Sequence, residues 1–218
     1  GNYSIERILD KWFDPPLVLS PGINLKQFPC CGSTHPAIFA AIRLRERQRL
    51  DHKLIRRIEI LTHPRRLPHT NQPRPHTSLE SKFSIQYCVA RALVDGQVTL
   101  ADFENAAWEQ TNITRLLSIT QVGEHSDMVK LESGTFGAQV NITLENQEQI
   151  SERIDHGGGR GPDNPMTDTE RRNKFVDCAT RTLPDAQVLR LFNTLEQLEQ
   201  IESIPKLVEL ARPAPKEN

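Results

Sequence analysis

Residues 25–42 read Leu-Lys-Gln-Phe-Pro-Cys-Cys-Gly-Ser-Thr-His-Pro-Ala-Ile-Phe-Ala-Ala-Ile and hold the clearest local signals of this chain. A short extended run ends at Pro29, because proline disfavours helical backbone in the residue before it. Ser33 and Thr34 come just before Pro36 and an apolar-periodic segment. A hydroxyl residue followed by a first-turn proline is typical of a helix start, so we expect a hydroxyl to cap the free N–H groups there.

The helix that follows is predicted over residues 34–48, with Lys26 and His35 near its start. Its apolar stripe consists of Ile38, Ala41, Ile42 and Leu44. A helix N-terminus carries unpaired N–H donors and partial positive charge, and therefore favours an anion. The residues alone leave two interpretations open. One is a capped helix with buried cysteines and a surface lysine, and the other is a site that binds a carboxylate and transfers a proton through Lys26 and His35.

Length and charge limit the classes of function. The chain has 218 residues, which is enough for one large domain or for one domain with an appendage. Its formal net charge is −1 and its isoelectric point is near 6.7, so binding to nucleic acid through bulk charge is not expected. No run approaches the 18 or so apolar residues of a transmembrane helix, so no membrane association is expected either.

Four cysteines are present without a Cys-x-x-Cys pair, which fits reduced thiols in a cytoplasmic protein. They are Cys30, Cys31, Cys88 and Cys178. Residues 63–77 contain His63, His69 and His76 among prolines and arginines. The histidines are irregularly spaced and lack nearby carboxylates or thiols, so the segment is predicted to be a surface loop and not a metal site.

The remaining pattern predicts an α+β fold. The helices are predicted from Ser4 to Trp12 and at 76–96, 168–182, 185–199 and 203–211, and the strands or extended segments at 17–20, 23–28, 55–62, 118–123, 128–132 and 138–144. A capping box of Thr167 and Glu170 precedes the first C-terminal helix. We therefore expect a small antiparallel or mixed sheet with helices, followed by an all-α C-terminal segment. The Gly-rich residues 156–165 lack the pattern of a phosphate-binding loop and read as a connector.

Three blocks of this sequence resemble the MmgE/PrpD family. The first is Lys-x-Phe-Pro-Cys-Cys-x-x-Thr-His-Pro-Ala-Ile from Lys26, the second is Glu-x-Lys-Phe-Ser from Glu80 to a closing Asp-Gly at Gly96, and the third is the Asn-Pro pair at Asn164. The family includes 2-methylcitrate dehydratases, cis-aconitate decarboxylases and iminodisuccinate epimerases. The resemblance covers nearly the whole chain.

The resemblance implies a division of the chain and a missing partner. Family members have a larger helical domain and a smaller α+β lid, with the active site in the cleft between them. This sequence matches the lid and the returning C-terminal helices, so we expect a fragment or a separated piece of a homo-oligomeric enzyme. The expected parts are a connecting helix at 1–16, the lid at 17–155, and helices at 156–218 that dock on the missing N-terminal helical domain and do not form a core with the lid.

The resemblance also implies site residues. Lys26 matches an active-site lysine and His35 belongs to a shared Thr-His pair, so both are predicted to be catalytic. The resemblance also implies that four residues bind substrate: Cys31, Ser33, Thr34 and Lys82. In the decarboxylase branch the position of Cys31 carries a histidine, so the resemblance leaves the proton-transfer apparatus of this chain open. No metal or other cofactor is implied.

Two functions from different classes follow. The first is the C-terminal portion of a lyase or isomerase that removes a proton α to a carboxylate of a small di- or tricarboxylate. Such a step builds an enolate-like anion that needs a cationic group nearby. The alternative is a non-catalytic remnant or interaction domain that retains the fold. For Lys82, the sequence also leaves open a local ion pair with Glu80.

Overall fold

The computed structural model describes residues 4–10, 16, 18–20, 22–129, 137–156 and 164–213. The helices are α1 (Ile5–Leu9), α2 (His35–Gln48), α3 (Leu67–Thr70), α4 (Ser78–Phe83), α5 (Ile85–Asp95), α6 (Thr111–Ser118), α7 (Ser126–Val129), α8 (Asp168–Ala179), α9 (Asp185–Leu195) and α10 (Ile204–Leu210). The strands are β1 (Ile55–Thr62), β2 (Thr120–Glu124), β3 (Ala138–Leu144) and β4 (Gln149–Ile154). Within the described residues, no helix is long and apolar enough to cross a bilayer.

The four strands form one mixed sheet in the order β2-β1-β3-β4. β1 runs parallel to β2 and antiparallel to β3, and β3 runs antiparallel to β4. A mixed sheet with helices, followed by helices alone, confirms the predicted α+β class. Strand β4 was not predicted, because its sequence Gln-Ile-Ser-Glu-Arg-Ile is mostly polar and lies at the sheet edge.

The main core lies between one face of the sheet and helices α2 and α5. The sheet contributes fully or almost fully buried side chains at Ile58, Ile60, Val140 and Ile142. Burial of each such side chain stabilises the fold by about 1.5–3 kcal/mol. Helix α2 is packed into this core. The turn that precedes α2 is therefore attached to a rigid element.

The helix predicted at 76–96 is two helices, α4 and α5, and this prediction is wrong at Ser84. Ser84 has extended backbone, with φ −90° and ψ 109°. Its Oγ donates to the carbonyl of Gln72 at 2.6 Å and accepts from the backbone N–H of Tyr87 at 3.0 Å. The side chain thus caps α5 and ties the break to the preceding loop, which a continuous helix would not permit.

Residues 18–20 form a turn, so the strand or extended segment predicted at 17–20 is wrong. Residues 22–27 pair with no strand of the described sheet, which excludes a strand of that sheet at 23–28 and leaves the extended segment that was the other prediction there. Where a strand was predicted at 128–132, the described residues Ser126–Val129 form helix α7. The rest of that prediction, and most of the Gly-rich connector, lie outside the described residues.

The C-terminal helices form a second, smaller apolar cluster. Its buried members are Leu183, Val188 and Leu191, and its half-buried members include Phe175, Val176, Leu207 and Leu210. Polar contacts join this part to the sheet-bearing part, among them Gln27 Nε2 to Glu170 Oε1 at 3.0 Å and Arg181 to Glu104 at 2.6 Å. The predicted division into three parts stays a prediction.

Candidate active site

Thr34 stands at the start of α2 but does not cap it as predicted. Its backbone is helical, with φ −89° and ψ −17°, and its side chain accepts no hydrogen bond from the helix. The hydroxyl instead donates to the carbonyl of Cys31 at 2.8 Å and lies 3.2 Å from the Cys30 Sγ. The prediction of a hydroxyl cap is wrong because a side chain caps only from a non-helical residue. Thr34 closes the turn before the helix.

His35 lies at the predicted position but is only 2% exposed. Its ring meets the ring of Phe28 edge to face, with centroids 5.2 Å apart. Its Nε2 is buried and has no hydrogen-bond partner among the described residues. A buried polar atom without a partner costs about 1–3 kcal/mol, so the burial of this nitrogen is not offset by a hydrogen bond from the described residues.

Lys26 is exposed and lies two residues before Phe28. Among the described residues, its ammonium group forms no hydrogen bond and no ion pair. The next residue, Gln27, is hydrogen-bonded to Glu170 of α8, and Phe28 packs against His35. The backbone on the C-terminal side of Lys26 is therefore anchored, while its charge stays unneutralised.

The end of α4 meets the same turn. The backbone N–H of Cys31 donates to the carbonyl of Lys82 at 2.9 Å. The Lys82 Nζ lies 5.9 Å from the centroid of the Phe103 ring, within range of a cation–π contact. The alternative ion pair does not form, since Glu80 accepts from the backbone N–H of His76 at 2.6 Å and caps the helix start. Lys82 is a second cation without a carboxylate partner among the described residues.

A histidine that the sequence assigned to a surface loop also reaches this turn. The His69 Nε2 lies 3.0 Å from the Oγ of Ser33. The two residues are 36 positions apart, and no local pattern links them. The structure thus places Cys31, Ser33, Thr34 and His35 on one turn, which the main chain of Lys82 and the ring of His69 contact.

Two buried thiols lie behind the turn. The interaction with the Cys88 thiol lowers the pKa of Cys30 from its ordinary 9.0 to about 5, against the opposing effect of burial. The hydrogen bond and charge of His35, and the contact with the Thr34 hydroxyl, lower the pKa of Cys30 further. Burial, followed by the contact with Cys30, raises the pKa of Cys88. The pKa values of the two neighbouring thiols are thus shifted in opposite directions, that of Cys30 downward and that of Cys88 upward.

This arrangement predicts a pH dependence of stability. The pKa of Cys30 in the folded state lies below that of the unfolded thiol, so its contribution is fully present above pH 9.0 and is lost as pH falls toward about 5. Urea unfolding of the wild type and of Cys30→Ser should show an advantage of the wild type that shrinks over this interval. The ultraviolet absorbance of the thiolate should disappear over the lower part of it. An advantage that grows as the pH falls would contradict the assignment.

Within the described residues, no group of three His, Cys, Asp or Glu side chains is placed to hold a metal ion. The loop that carries His63, His69 and His76 accordingly gives no metal cluster in that part of the chain. It forms a 3₁₀ turn at Pro64–Arg66 and helix α3.

Comparison with known proteins agrees with the architecture. The chain is 27% identical over 199 residues to cis-aconitate decarboxylase of Mus musculus, which covers 87% of this chain and 39% of that protein. It is 26% identical over 201 residues to cis-aconitate decarboxylase of Homo sapiens, covering 89% and 41%. It is 26% identical over 196 residues to the cis-aconitate decarboxylase-like protein oryM of Aspergillus oryzae, covering 86% and 40%.

The chain thus spans about two fifths of the length of the curated relatives it matches. The family description that matches is the MmgE/PrpD C-terminal domain, over residues 28–200. The matched range begins at Phe28, which contacts His35, and ends at residue 200, just beyond α9. It therefore includes the turn before α2 and the whole sheet. This chain belongs to the MmgE/PrpD family.

Proposed function

We propose that this chain is the C-terminal portion of an MmgE/PrpD-like lyase or isomerase that acts on small di- or tricarboxylates. The reaction would begin with removal of a proton α to a carboxylate, in a cleft between this chain and an upstream helical domain. The match to the family's C-terminal domain supports the proposal, and so do relatives named for a reaction of cis-aconitate, itself a tricarboxylate. The other candidate reactions are the dehydration of 2-methylcitrate and the epimerisation of iminodisuccinate.

The observation that carries the proposal is the free charge of Lys26. Lys26 is exposed, lies two residues before the Phe28 that packs on His35, and has no carboxylate partner among the described residues. The backbone carbonyl of Lys82 contacts the turn before α2, while its ammonium group lies over the Phe103 ring. Loss of the α proton leaves an enolate-like anion beside existing carboxylates, and cations held in place lower the free energy of that charge. Lys26 is our candidate for the group that stabilises it.

The other predicted residues take supporting places in this proposal. Ser33 is half-buried on the turn, and Cys31 and Thr34 hold the turn closed through backbone contacts. A proton-transfer role for His35 stays a prediction, since its ring meets Phe28 and Cys30 within this chain. It would require that a group from the site reach the unpaired Nε2.

We also propose that the C-terminal helices dock on the upstream helical domain within a homo-oligomer. Large apolar side chains on and near α9 and α10 are exposed, and contiguous exposed apolar surface is typical of a covered face. They are Leu189, Leu195, Leu198, Ile204 and Val208. Four free cysteines support a reducing compartment, and we propose the cytoplasm.

The test compares the protein encoded by the natural gene with the 218-residue chain. Both are assayed with cis-aconitate, 2-methylcitrate and iminodisuccinate. We expect turnover of at least one by the full-length protein and none by the chain alone, because a cleft needs both of its walls. Equal turnover by the isolated chain would contradict the shared cleft. A full-length protein that neither binds nor converts any of the three would support the non-catalytic interaction domain.

A further inference from the structure

The contact between His69 and Ser33 has a geometry suited to proton exchange. The His69 Nε2 and the Ser33 Oγ are 3.0 Å apart, within hydrogen-bond reach. Ser33 is half-buried beside Thr34, whereas His69 is exposed. Of the described residues, no carboxylate contacts either member of this pair. The imidazole is therefore free to respond to a ligand at the turn.

The segment that presents His69 is anchored to the core. Thr70 is fully buried, and its Oγ1 donates to the carbonyl of Arg66 at 2.7 Å. The Oδ1 of Asn71 accepts from Gln86 Nε2 at 2.6 Å, and Ser84 binds the carbonyl of Gln72 at the same distance. Three successive residues after His69 are thus held, two of them by α5 or its cap. Such anchoring fixes a proton-exchanging group more precisely than a free loop would.

His69 differs in solvent exposure from His35, the histidine that the sequence predicted to be catalytic. His35 is 2% exposed and faces Phe28, so solvent does not reach its ring within this chain. His69 is the exposed imidazole that contacts a residue of the turn, next to the residue pair Thr34 and His35. Histidine changes its protonation near neutral pH, which suits it to accept and return a proton.

We propose that Ser33 and His69 form a proton relay of the site described under the proposed function, on which this inference rests. As the substrate Cα–H bond breaks, its electron pair enters the enolate and its proton passes to the Ser33 Oγ. The Ser33 hydroxyl proton passes at the same time to the His69 Nε2, which becomes an imidazolium. The negative charge of the enolate lies beside Lys26. In the return step the imidazolium gives its proton back through Ser33.

The test uses the full-length natural protein with Ser33→Ala, His69→Gln and the double variant. General acid–base groups contribute about 10²–10⁴-fold, so each single variant should lower kcat by at least about 10²-fold with little change in KM. Because the two residues act as one unit, the double variant should be no slower than the slower single one.

The matched control is His76→Gln. His76 is exposed on the same loop, and among the described residues its side chain has no hydrogen bond. This variant should keep the kcat of the wild type. If His69→Gln behaves like His76→Gln, or if Ser33→Ala leaves kcat unchanged, the relay is overturned while the proposed function stands.

A second readout does not depend on turnover. Adding tricarballylate, an inert tricarboxylate, should move the proton resonance of the His69 ring in the NMR spectrum and leave that of His76 in place. A wild type that turns substrate over without any shift at His69 would overturn the relay. A wild type with neither turnover nor tricarballylate binding would instead refute the proposed function, and the relay would fall with it.

Discussion

Replacing Lys26 with alanine in the full-length natural protein is expected to lower kcat for its polycarboxylate substrate by about 10²–10³-fold. Removing one group that stabilises developing negative charge typically costs this much, about 2.7–4 kcal/mol of barrier. The stability of the folded state should change little, because Lys26 is exposed and forms no ion pair with the described residues. Surface substitutions of this kind change the free energy of unfolding by about 0.5 kcal/mol or less.

Steady-state kinetics and urea unfolding measure the two effects separately. Lys53→Ala is the matched control, since Lys53 is also exposed but lies before β1, at the other end of α2 from the turn. It should leave both kcat and stability unchanged. A Lys26→Ala variant that loses stability without a specific loss of kcat would show that Lys26 is a structural residue.

Replacing Arg91 with methionine is expected to destabilise the fold by about 3–5 kcal/mol. The Arg91 side chain is 7% exposed, and its guanidinium lies 3.0 Å from Asp102, whose side chain is 11% exposed. It also lies 3.3 Å from Asp95 and donates to Gln110 at 2.9 Å. Methionine fills similar space but leaves the carboxylate of Asp102 buried without its partner, which is the costly way to break a buried ion pair.

The control for this prediction is Arg181→Met. Arg181 forms an ion pair with Glu104 at 2.6 Å, but these side chains are 36% and 46% exposed. Exposed pairs contribute little because water screens them, so this variant should unfold close to the wild type in urea. Equal losses of stability for the two variants would mean that burial of the Arg91 pair carries no special penalty.

Local order was predictable wherever residues a few positions apart control it. The alternation in Ile55–Thr62 and Ala138–Leu144 predicted β1 and β3, because one face of each strand is buried. Thr167 and Glu170 predicted the start of α8, where the reciprocal capping box forms, with Glu170 Oε2 accepting from the backbone N–H of Thr167 at 2.8 Å. The motif from Lys26 to Ile38 also indicated the family, and the match to its C-terminal domain confirms it.

The contents of the site were decided by tertiary packing. Sequence spacing put His35 beside a helix start, but only the packing of Phe28 and α2 shows that its ring is buried. The histidine that meets Ser33 comes from a loop 36 residues away, held by bonds to α5 and its cap. Periodicity and capping act over one or two turns of chain, so the sequence determined most of the elements and the family. Which side chains meet across the turn depends on how distant elements pack, and no local pattern encodes it.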